Sequence, residues 1–328
     1  MKILFVDILY DYGDSNRGLN QIGQLGFKSS FEKLGHEVVP FYYDHLQVDL
    51  ENLNTNLLQQ ADQEKPDLIF FMLFRDQFFP ETLEKLKKKF KTVNWFGDDT
   101  WRFDSFTKKY APHFSWSITT DKFSIPKYHG LGVKSVIYSQ WASISAPASE
   151  FLNLSYDRDI SFIGQNHPYR TWFIAQLKKK GWKVDCFGYG WENGILSLED
   201  MQKVFCSSKI NLNLSNSTEW DLRYLISHPK ALAYALKSPK NMSQIKARNF
   251  EINCLGGFQL TDYVPSLEDY LQIGKEVICF RNLNEAIQLI DYYLAQDKER
   301  EAIRKFAWEN AKENHTYLSR LKKVLEEI

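Results

Sequence analysis

Residues Lys246–Asp262 have the sequence KARNFEINCLGGFQLTD, which is the most informative segment of the chain for its fold. Its pattern predicts a helix that begins near Asn249 and ends at Gly256 and Gly257, two residues that also permit a ligand to approach the backbone closely. An apolar strand follows and ends at Asp262, which is a candidate ligand-binding residue because of that position. A short helix joined to a buried strand is the repeating unit of a parallel sheet covered by helices on both faces.

Charged residues crowd the start of this helix. Lys246 and Arg248 come just before it, and Glu251 lies in its first turn. In an open α/β sheet, ligands bind beyond the carboxyl ends of the strands, where helices begin and anions are stabilised. Arg248 and Lys246 suit the clamping of a diphosphate, and Glu251 suits two ribose hydroxyls. The residues alone leave open a simpler interpretation, in which the two glycines only stop the helix and Glu251 complements its dipole.

The same alternation of strands and helices extends over the whole chain. It predicts an α/β protein with two doubly wound, Rossmann-like domains and a cleft between them, which fits the length of 328 residues. Within the second domain we expect a helical insertion with loops over 219–247 and a further helix over 266–271. The expected divisions are an amino-terminal domain over 1–143, a linker rich in Ser and Ala over 144–156, a second domain over 157–310, and a carboxyl-terminal helix over 311–328 that packs back towards the first domain.

The composition is that of a globular protein, with 44% hydrophobic and 25% charged residues. The formal net charge of zero lacks the basic excess of a dedicated nucleic-acid-binding protein, and we expect no nucleic-acid partner. The four cysteines form no CxxC pair, which favours a reducing, cytoplasmic location. No stretch approaches the ~20 apolar residues of a membrane-spanning helix. A Lys-rich run over 85–91 leaves open a peripheral contact with anionic lipid, although such runs usually form solvated faces.

Three further strand ends in the second domain are expected to face the same edge of the sheet. Glycines there allow close approach, while amide and aromatic side chains suit phosphate, sugar and base. A plain turn is the alternative at each loop. The residues concerned are Gly164, Asn166 and Arg170 after one strand, Gly188 and Tyr189 after the next, and Asn213 and Ser215 after the third.

Seven motifs follow one another through this half of the chain. They are Ser161-Phe-Ile-Gly164, Phe187-Gly-Tyr-Gly190-Trp, Ile210-Asn-Leu-Asn213-Leu-Ser215, Lys246-Ala-Arg248-Asn-Phe-Glu251-Ile, Gly256-Gly257-Phe, Leu267-Glu-Asp-Tyr-Leu and His315-Thr-Tyr-Leu-Ser-Arg320. In identity and order they resemble the CgeB-like (spore maturation protein type) glycosyltransferases. The amino-terminal half resembles that family mainly in its general pattern of strands and helices and not in specific motifs.

The resemblance implies a GT-B fold and a glycosyltransferase of the hexosyltransferase type. The second domain would bind the nucleotide diphosphate-sugar, a UDP-sugar in our interpretation, and the amino-terminal domain would bind a glycan, a lipid-linked glycan or a protein through a hydroxyl. No metal or other cofactor is implied, because GT-B enzymes typically neutralise the leaving diphosphate with basic residues and helix N-termini.

One position departs from the wider group of retaining GT-B transferases that the chain resembles. That group carries two glutamates eight positions apart; Glu251 matches the second, and Ser243 occupies the place of the first. The stereochemical outcome therefore does not carry over. Two alternatives stay open, a nucleotide-sugar epimerase of the same fold and a catalytically inactive nucleotide-sugar-binding protein.

The amino-terminal domain offers candidate catalytic carboxylates. Asp98 and Asp99 follow a buried strand, where a carboxylate would serve as general base on an acceptor hydroxyl or stabilise positive charge in the transition state. Adjacent carboxylates need not point the same way, and Asp99 alternatively caps a short helix. Asp14, Arg17 and Gly18, in the loop after the first strand, are candidates for contact with the acceptor or the phosphates.

Overall fold

The computed structural model describes residues 1–145, 155–216, 219–238, 240 and 242–328. Its contacts divide the chain into two compact units. The amino-terminal unit comprises Met1–Ile144 together with Tyr317–Ile328, and the carboxyl-terminal unit comprises Ser145–Thr316. Most of the linker expected over 144–156 lies outside the described residues.

The amino-terminal unit is built on a parallel sheet of six strands in the order β2-β1-β3-β4-β5-β6. The strands are apolar on both faces, as a sheet covered on both sides requires. The chain reverses direction across the sheet between β1 and β3, which is the switch point of a doubly wound fold. The strands are β1 (Lys2–Asp7), β2 (Glu37–Tyr42), β3 (Leu68–Phe71), β4 (Lys91–Phe96), β5 (Trp116–Thr119) and β6 (Val136–Tyr138).

Local signals in the sequence begin the helices of this unit. The Asp49 carboxylate accepts a hydrogen bond from the Asn52 amide (3.0 Å) and caps α2, while Pro80 occupies the first turn of α3. The helices are α1 (Ser29–Lys33), which continues a π-helical segment over Ile22–Lys28, α2 (Leu50–Glu64), α3 (Pro80–Lys89), α4 (Asp99–Arg102), α5 (Lys108–Tyr110) and α6 (Ile125–Gly130).

The carboxyl-terminal unit has a parallel sheet of five strands in the order β11-β10-β9-β7-β8. Its switch point lies between β7 and β9, so the first strand of each unit sits beside the second and the third. The strands are β7 (Arg158–Ile163), β8 (Val184–Phe187), β9 (Ser208–Asn213), β10 (Gln259–Asp262) and β11 (Ile278–Phe280). The helices are α7 (Pro168–Lys179), α8 (Leu198–Ser207), α9 (Leu222–Ser227), α10 (Pro229–Lys237), α11 (Arg248–Cys254), α12 (Leu283–Ala295) and α13 (Asp297–Asn314).

The last helix, α14 (Tyr317–Glu327), belongs to the amino-terminal unit. Tyr317, Leu321 and Val324 recur at helical spacing, and all three are buried in that unit's apolar core. The Tyr317 amide donates to the Ser143 carbonyl (2.9 Å), and a Cβ at Gly26 would come within 2.9 Å of the Tyr317 ring. Gly26 therefore lets the π-helical segment and α14 approach each other closely.

One expected element of the carboxyl-terminal unit differs in the structure. The helix predicted over 266–271 is a single 3-10 turn over Leu267–Asp269, because Ser266 adopts a left-handed backbone (φ 72°) that does not continue into an α-helix. The insertion predicted over 219–247 contains two short helices, α9 and α10, in agreement with the expected mixture of helix and loop. Within the described parts of the chain, no helix is both long and apolar enough to cross a membrane.

Candidate functional site

The carboxyl ends of β7, β8, β9 and β10 lie side by side at one edge of the carboxyl-terminal sheet, because all of these strands are parallel and adjacent. The switch point between β7 and β9 falls in the middle of this edge. A crevice at such a point is where open α/β sheets bind ligands. Most of the site residues predicted for the second domain lie at this edge, in its loops, at the ends of its strands or in the first turns of the adjoining helices.

The loops after β7 and β8 are locked to each other. The Gly164 amide donates to the Phe187 carbonyl (2.9 Å), and the Trp191 indole donates to the Gly164 carbonyl (2.8 Å). Gly188 has φ +119°, and a Cβ there would lie 2.5 Å from the Gly164 carbonyl oxygen. A glycine is required at 188 to let the two loops meet, which is a structural demand on that residue.

Asn166 joins the same pair of loops. Its side-chain amide donates to the Gly190 carbonyl (2.9 Å), and its backbone amide donates to the Tyr189 carbonyl (2.9 Å). Its side-chain oxygen accepts from the Thr171 hydroxyl (2.5 Å). Both polar atoms of the Asn166 side chain are thus engaged in the loop, whereas the Tyr189 side chain is 58% exposed.

Arg170, in the first turn of α7, joins the loop after β7 to the loop after β9. Its guanidinium donates to the carbonyls of Gln165 (3.0 Å), Leu214 (2.6 Å) and Asn216 (3.3 Å). Burial lowers the pKa of Arg170 to about 10, Asp262 opposes that shift, and Arg248 adds to it. Arg170 therefore lies close to both of these predicted site residues, and its donors hold the backbone of the edge in place.

Asp262, at the end of β10, also holds the backbone of a neighbouring loop in place. Its carboxylate accepts hydrogen bonds from the amides of Ser215 (2.8 Å) and Asn216 (3.3 Å), and burial raises its pKa. The Asn213 amide meets the Thr261 hydroxyl (3.2 Å) behind it. Asp262 thus holds the backbone of the loop after β9, and Asn213 ties the end of β9 to β10.

Arg248 and Glu251 form an ion pair at the beginning of α11. Arg248 is the first residue of the helix, whereas the sequence pattern predicted that the helix begins just after it. Its Nη1 lies 2.9 Å from Glu251 Oε2, with side chains 23% and 12% exposed. The Lys246 amide donates to the Asn249 side chain (2.9 Å), which fixes the turn that enters the helix. This half-buried pair is the main charged feature that the sequence predicted at this edge.

The glycine pair of the opening stretch lies elsewhere, and the expectation that Gly256 and Gly257 meet a ligand is corrected. Because α11 runs antiparallel to the strands, its end lies at the opposite edge of the sheet, roughly 10 Å from its beginning. There the Gly256 carbonyl accepts from Arg304 Nε (2.6 Å), and a Cβ at Gly257 would lie 2.6 Å from the Asn211 amide. The pair turns the chain from helix into strand.

A hydrogen bond that the sequence did not predict links two loops of the edge. The Asn216 side-chain amide donates to Ser243 Oγ (2.7 Å). Ser243 occupies the position of the missing glutamate, so a neutral contact stands where the resemblance would place a carboxylate. The polar cluster SNST after β9 was the available signal for Asn216.

The two carboxylates of the amino-terminal unit point in different directions. Asp99, the first residue of α4, is 1% exposed, and its carboxylate accepts hydrogen bonds from three buried hydroxyls. Those are Thr107 (2.5 Å), Thr119 (2.5 Å) and Tyr128 (2.6 Å). Burial raises the pKa of Asp99 to about 6 against these bonds. Asp99 fastens α4 into the unit, and its surroundings favour a structural role.

Asp98 remains partly exposed beside a cationic and aromatic group of side chains. It stands at the N-cap position of α4, and its charge raises the pKa of Arg102 against a larger lowering by burial. The Tyr12 ring packs edge-on against Phe74 (5.8 Å), and Arg17 lies over Tyr12 (4.6 Å). The carboxyl edge of β1, β3 and β4 therefore presents the Asp98 carboxylate, arginines and aromatic rings.

The predicted loop after β1 forms two short 3-10 turns. The Asp14 carboxylate accepts from the Asn16 amide (2.9 Å), and Arg17 pairs with Asp11 (2.9 Å). Gly18 has φ +80°, a left-handed conformation that favours glycine. The loop is ordered by its own side chains and contains Tyr12.

Comparisons with known proteins agree with this architecture. Residues 170–326 match a family model described as Glycosyl transferase-like. No curated protein matches the chain by sequence. Among solved structures, sucrose-phosphate synthase from Thermosynechococcus elongatus is similar at 10% identity and a TM-score of 0.67, covering 100% of this chain and 98% of that chain.

Two further structures extend the likeness. HepE of Anabaena, described in complex with UDP-glucose, is similar at 11% identity and a TM-score of 0.62, covering 99% of this chain and 98% of that one. An alpha-glucosyltransferase described in complex with UDP-glucose and DNA is 11% identical with a TM-score of 0.58, again covering 99% and 98%. The two-domain α/β GT-B fold predicted from the sequence is confirmed. The DNA complex conflicts with the expectation of no nucleic-acid partner, since a protein of this fold binds DNA.

Proposed function

We propose that this protein is a glycosyltransferase that moves a sugar from a UDP-sugar to a hydroxyl acceptor. The observation that carries the proposal is the ion pair of Arg248 with Glu251 at the ligand-binding edge of the carboxyl-terminal sheet. The match of residues 170–326 to a glycosyl transferase-like family supports it. So do structural neighbours of the same fold that are described with UDP-glucose.

In this proposal the ion pair opens when the donor arrives. Arg248 and Glu251 pair with each other in the free protein, at a site where neither side chain is more than 23% exposed. The diphosphate takes over the guanidinium through a bidentate contact, with Lys246 as a second cation and no metal ion. Glu251 is then released to accept from the ribose hydroxyls.

The acceptor belongs in this proposal to the amino-terminal unit. Asp98 is the carboxylate that we assign to the acceptor hydroxyl, since Asp99 is enclosed by hydroxyls. A glycan, a lipid-linked glycan or a protein hydroxyl are the acceptor classes we consider. The assignment to the CgeB-like group and a hexosyl donor rest on the sequence motifs. The cytoplasmic location that completes the proposal rests on the four cysteines, which form no CxxC pair.

A second candidate is favoured by one contact. Ser243 meets the Asn216 amide where retaining relatives carry a glutamate, so that position supplies no carboxylate to the sugar. A nucleotide-sugar-binding protein without transfer activity would have the same donor edge.

The test is a thermal-shift screen of nucleoside diphosphates and their sugars, followed by analysis of the products. A ligand that binds only the folded state raises the melting temperature by mass action. Release of UDP supports the transferase, an isomerised donor supports an epimerase, and tight binding without turnover supports the binding protein. No stabilisation by any uridine ligand would refute the donor assignment.

A variant tests the acceptor side separately. Asp98→Asn is expected to lower turnover while leaving UDP affinity unchanged. Normal turnover in this variant would remove Asp98 from the mechanism.

A further inference from the structure

Two short helices beside the donor edge expose an apolar surface. In α9 and α10 several large apolar side chains are exposed, among them Leu222 (73%) and Ile226 (78%). We refer to these exposed side chains, together with those of the flanking Trp220 and Met242, as the apolar face. Its large apolar members are Trp220, Leu222, Ile226, Leu232, Leu236 and Met242.

The exposure of the apolar face does not reflect helices packed with the wrong side inward, because the inner sides of both helices are packed on the core. Tyr224 is 1% exposed and meets the Tyr169 ring edge-on at 5.3 Å. Ala231 and Ala235, one turn apart, form the buried side of α10. Leu222 and Ile226 lie one turn apart on the side of α9 opposite Tyr224. The two helices therefore carry apolar residues on both sides. The inner residues pack on the core of the unit, and the exposed ones face solvent.

The same segment is rich in exposed cations. Lys230, Lys237 and Lys240 are exposed, and the segment 219–242 holds four Lys or Arg against two Asp or Glu in a chain whose net charge is zero. One of the two carboxylates, Asp221, is already paired with Arg223 at 2.6 Å. The remaining balance around the apolar face is positive.

The apolar face also adjoins the donor edge. Ser243, one residue beyond Met242, accepts the hydrogen bond from Asn216 in the loop after β9. Tyr224 packs on Tyr169, which is next to Arg170 in α7. A surface on which this face rests would lie next to the loops that Arg170 holds.

We propose that the apolar face docks on an anionic lipid surface. Apolar side chains combined with flanking lysines bind at the boundary between headgroups and acyl chains, by apolar burial and by attraction to anionic lipid. Helices of six and nine residues lie on a bilayer and do not cross it. A tryptophan at one end of the face suits the interfacial zone.

This location differs from the Lys-rich run considered from the sequence alone. In α3 the exposed side chains are charged, among them Lys85 and Lys88. That helix offers electrostatic attraction without apolar burial, and a face that combines both binds more strongly. Lipid docking by the apolar face does not depend on the proposed reaction; if both hold, the acceptor is met at a membrane surface.

The experiment is co-sedimentation of the full chain with vesicles of phosphatidylcholine, with and without phosphatidylglycerol. We expect binding to the anionic vesicles that weakens as salt is raised. Leu222→Ser/Ile226→Ser should weaken partitioning by roughly tenfold or more, because the insertable side chains are lost. Ile195→Ser is the matched control, since Ile195 is 72% exposed in the same unit but lies outside the apolar face.

Charge is tested with a second pair of variants. Lys230→Gln/Lys237→Gln should reduce binding to anionic vesicles, whereas Lys85→Gln/Lys88→Gln should leave it unchanged. Circular dichroism and the thermal shift with UDP check that each variant is folded, and they keep a failure of docking separate from a failure of donor binding.

Several results would overturn the proposal. One is failure of the unaltered chain to sediment with anionic vesicles, and another is equal sedimentation of the Leu222→Ser/Ile226→Ser variant. Self-association in the ultracentrifuge that this variant abolishes, without any vesicle binding, would assign the apolar face to a second copy of the chain instead.

Discussion

Replacing Arg170 by Met tests whether one buried guanidinium holds the donor edge together. Methionine has a comparable length but no donors, so the carbonyls of Gln165, Leu214 and Asn216 would each lose a hydrogen bond. All three belong to loops at the ends of β7 and β9. The single substitution should therefore remove the hydrogen bonds that Arg170 makes to the loops after β7 and β9.

The magnitude follows from two opposing contributions. Leaving a buried carbonyl without a donor costs ~1–3 kcal/mol, so three carbonyls cost roughly 3–9 kcal/mol if none finds water. Against this, the variant no longer buries a cation. Burial has lowered the pKa of Arg170 from 12.5 to about 10, which corresponds to about 3 kcal/mol against the charged form. The difference between these contributions spans roughly 0–6 kcal/mol. Because the exposed Gln165 carbonyl can bind water instead, we expect a net loss in free energy of unfolding in the lower half of that range, about 1–3 kcal/mol.

The assay is urea unfolding of the full chain, followed by tryptophan fluorescence, with Arg223→Met as the control. Arg223 is about half exposed and paired with Asp221, so its loss should cost ~1 kcal/mol or less. Arg170→Lys should resemble Arg170→Met, because one ammonium does not reproduce a fork that reaches three carbonyls. A loss below about 0.5 kcal/mol for Arg170→Met, or full rescue by lysine, would refute the reasoning.

Three other predictions address the donor pair, a buried carboxyl and a loop contact. Arg248→Ala and Glu251→Ala should each weaken UDP binding by at least ~1.5–3 kcal/mol by calorimetry, and unchanged affinity in both would reject the site. The raised pKa of Asp99, about 6 instead of 3.8, gives a stabilisation that is complete below pH 3.8 and lost as the pH rises through 6. Compared with Asp99→Asn, the unaltered chain should therefore lose about 3 kcal/mol between these limits in urea unfolding; parallel pH profiles would contradict this. Gly188→Ala should cost ~2 kcal/mol or more, because its Cβ meets a carbonyl at 2.5 Å, while Gly181→Ala, with open space around it, should cost ~1 kcal/mol; equal losses would rule out the contact.

The arrangement of strands was predictable because its signal is local and repeated. Apolar strands separated by amphipathic helices imply parallel sheets, and parallel sheets bring their carboxyl ends to one edge. Arg248 and Glu251 were placed at that edge because the helix they begin precedes β10. The periodicity of the sequence carries this information directly.

The roles of individual polar residues at the edge were less predictable. Asp262 and Asn166 were read as ligand contacts, and the structure shows both bonded to neighbouring backbone. A buried backbone amide or carbonyl requires a partner, and that partner comes from a loop distant in sequence. The hydroxyls around Asp99 likewise come from three separate elements.

The glycine pair was misplaced for a different reason. Glycine permits close approach of a ligand and also ends helices, and the residue type does not distinguish the two. The direction of α11 relative to β10 decides between them. Gly256 falls at the end of the helix far from the ion pair, so its positive φ of 82° serves the turn.

The position of α14 has a consequence for how the chain folds during synthesis. The apolar core that receives Tyr317, Leu321 and Val324 is otherwise made by residues before 145. The amino-terminal unit therefore keeps an open groove beside Phe27 while more than half of the chain is still being translated. Domains usually fold in the order in which they leave the ribosome. Here the amino-terminal unit emerges first but completes its core last, because α14 is translated after the entire carboxyl-terminal unit.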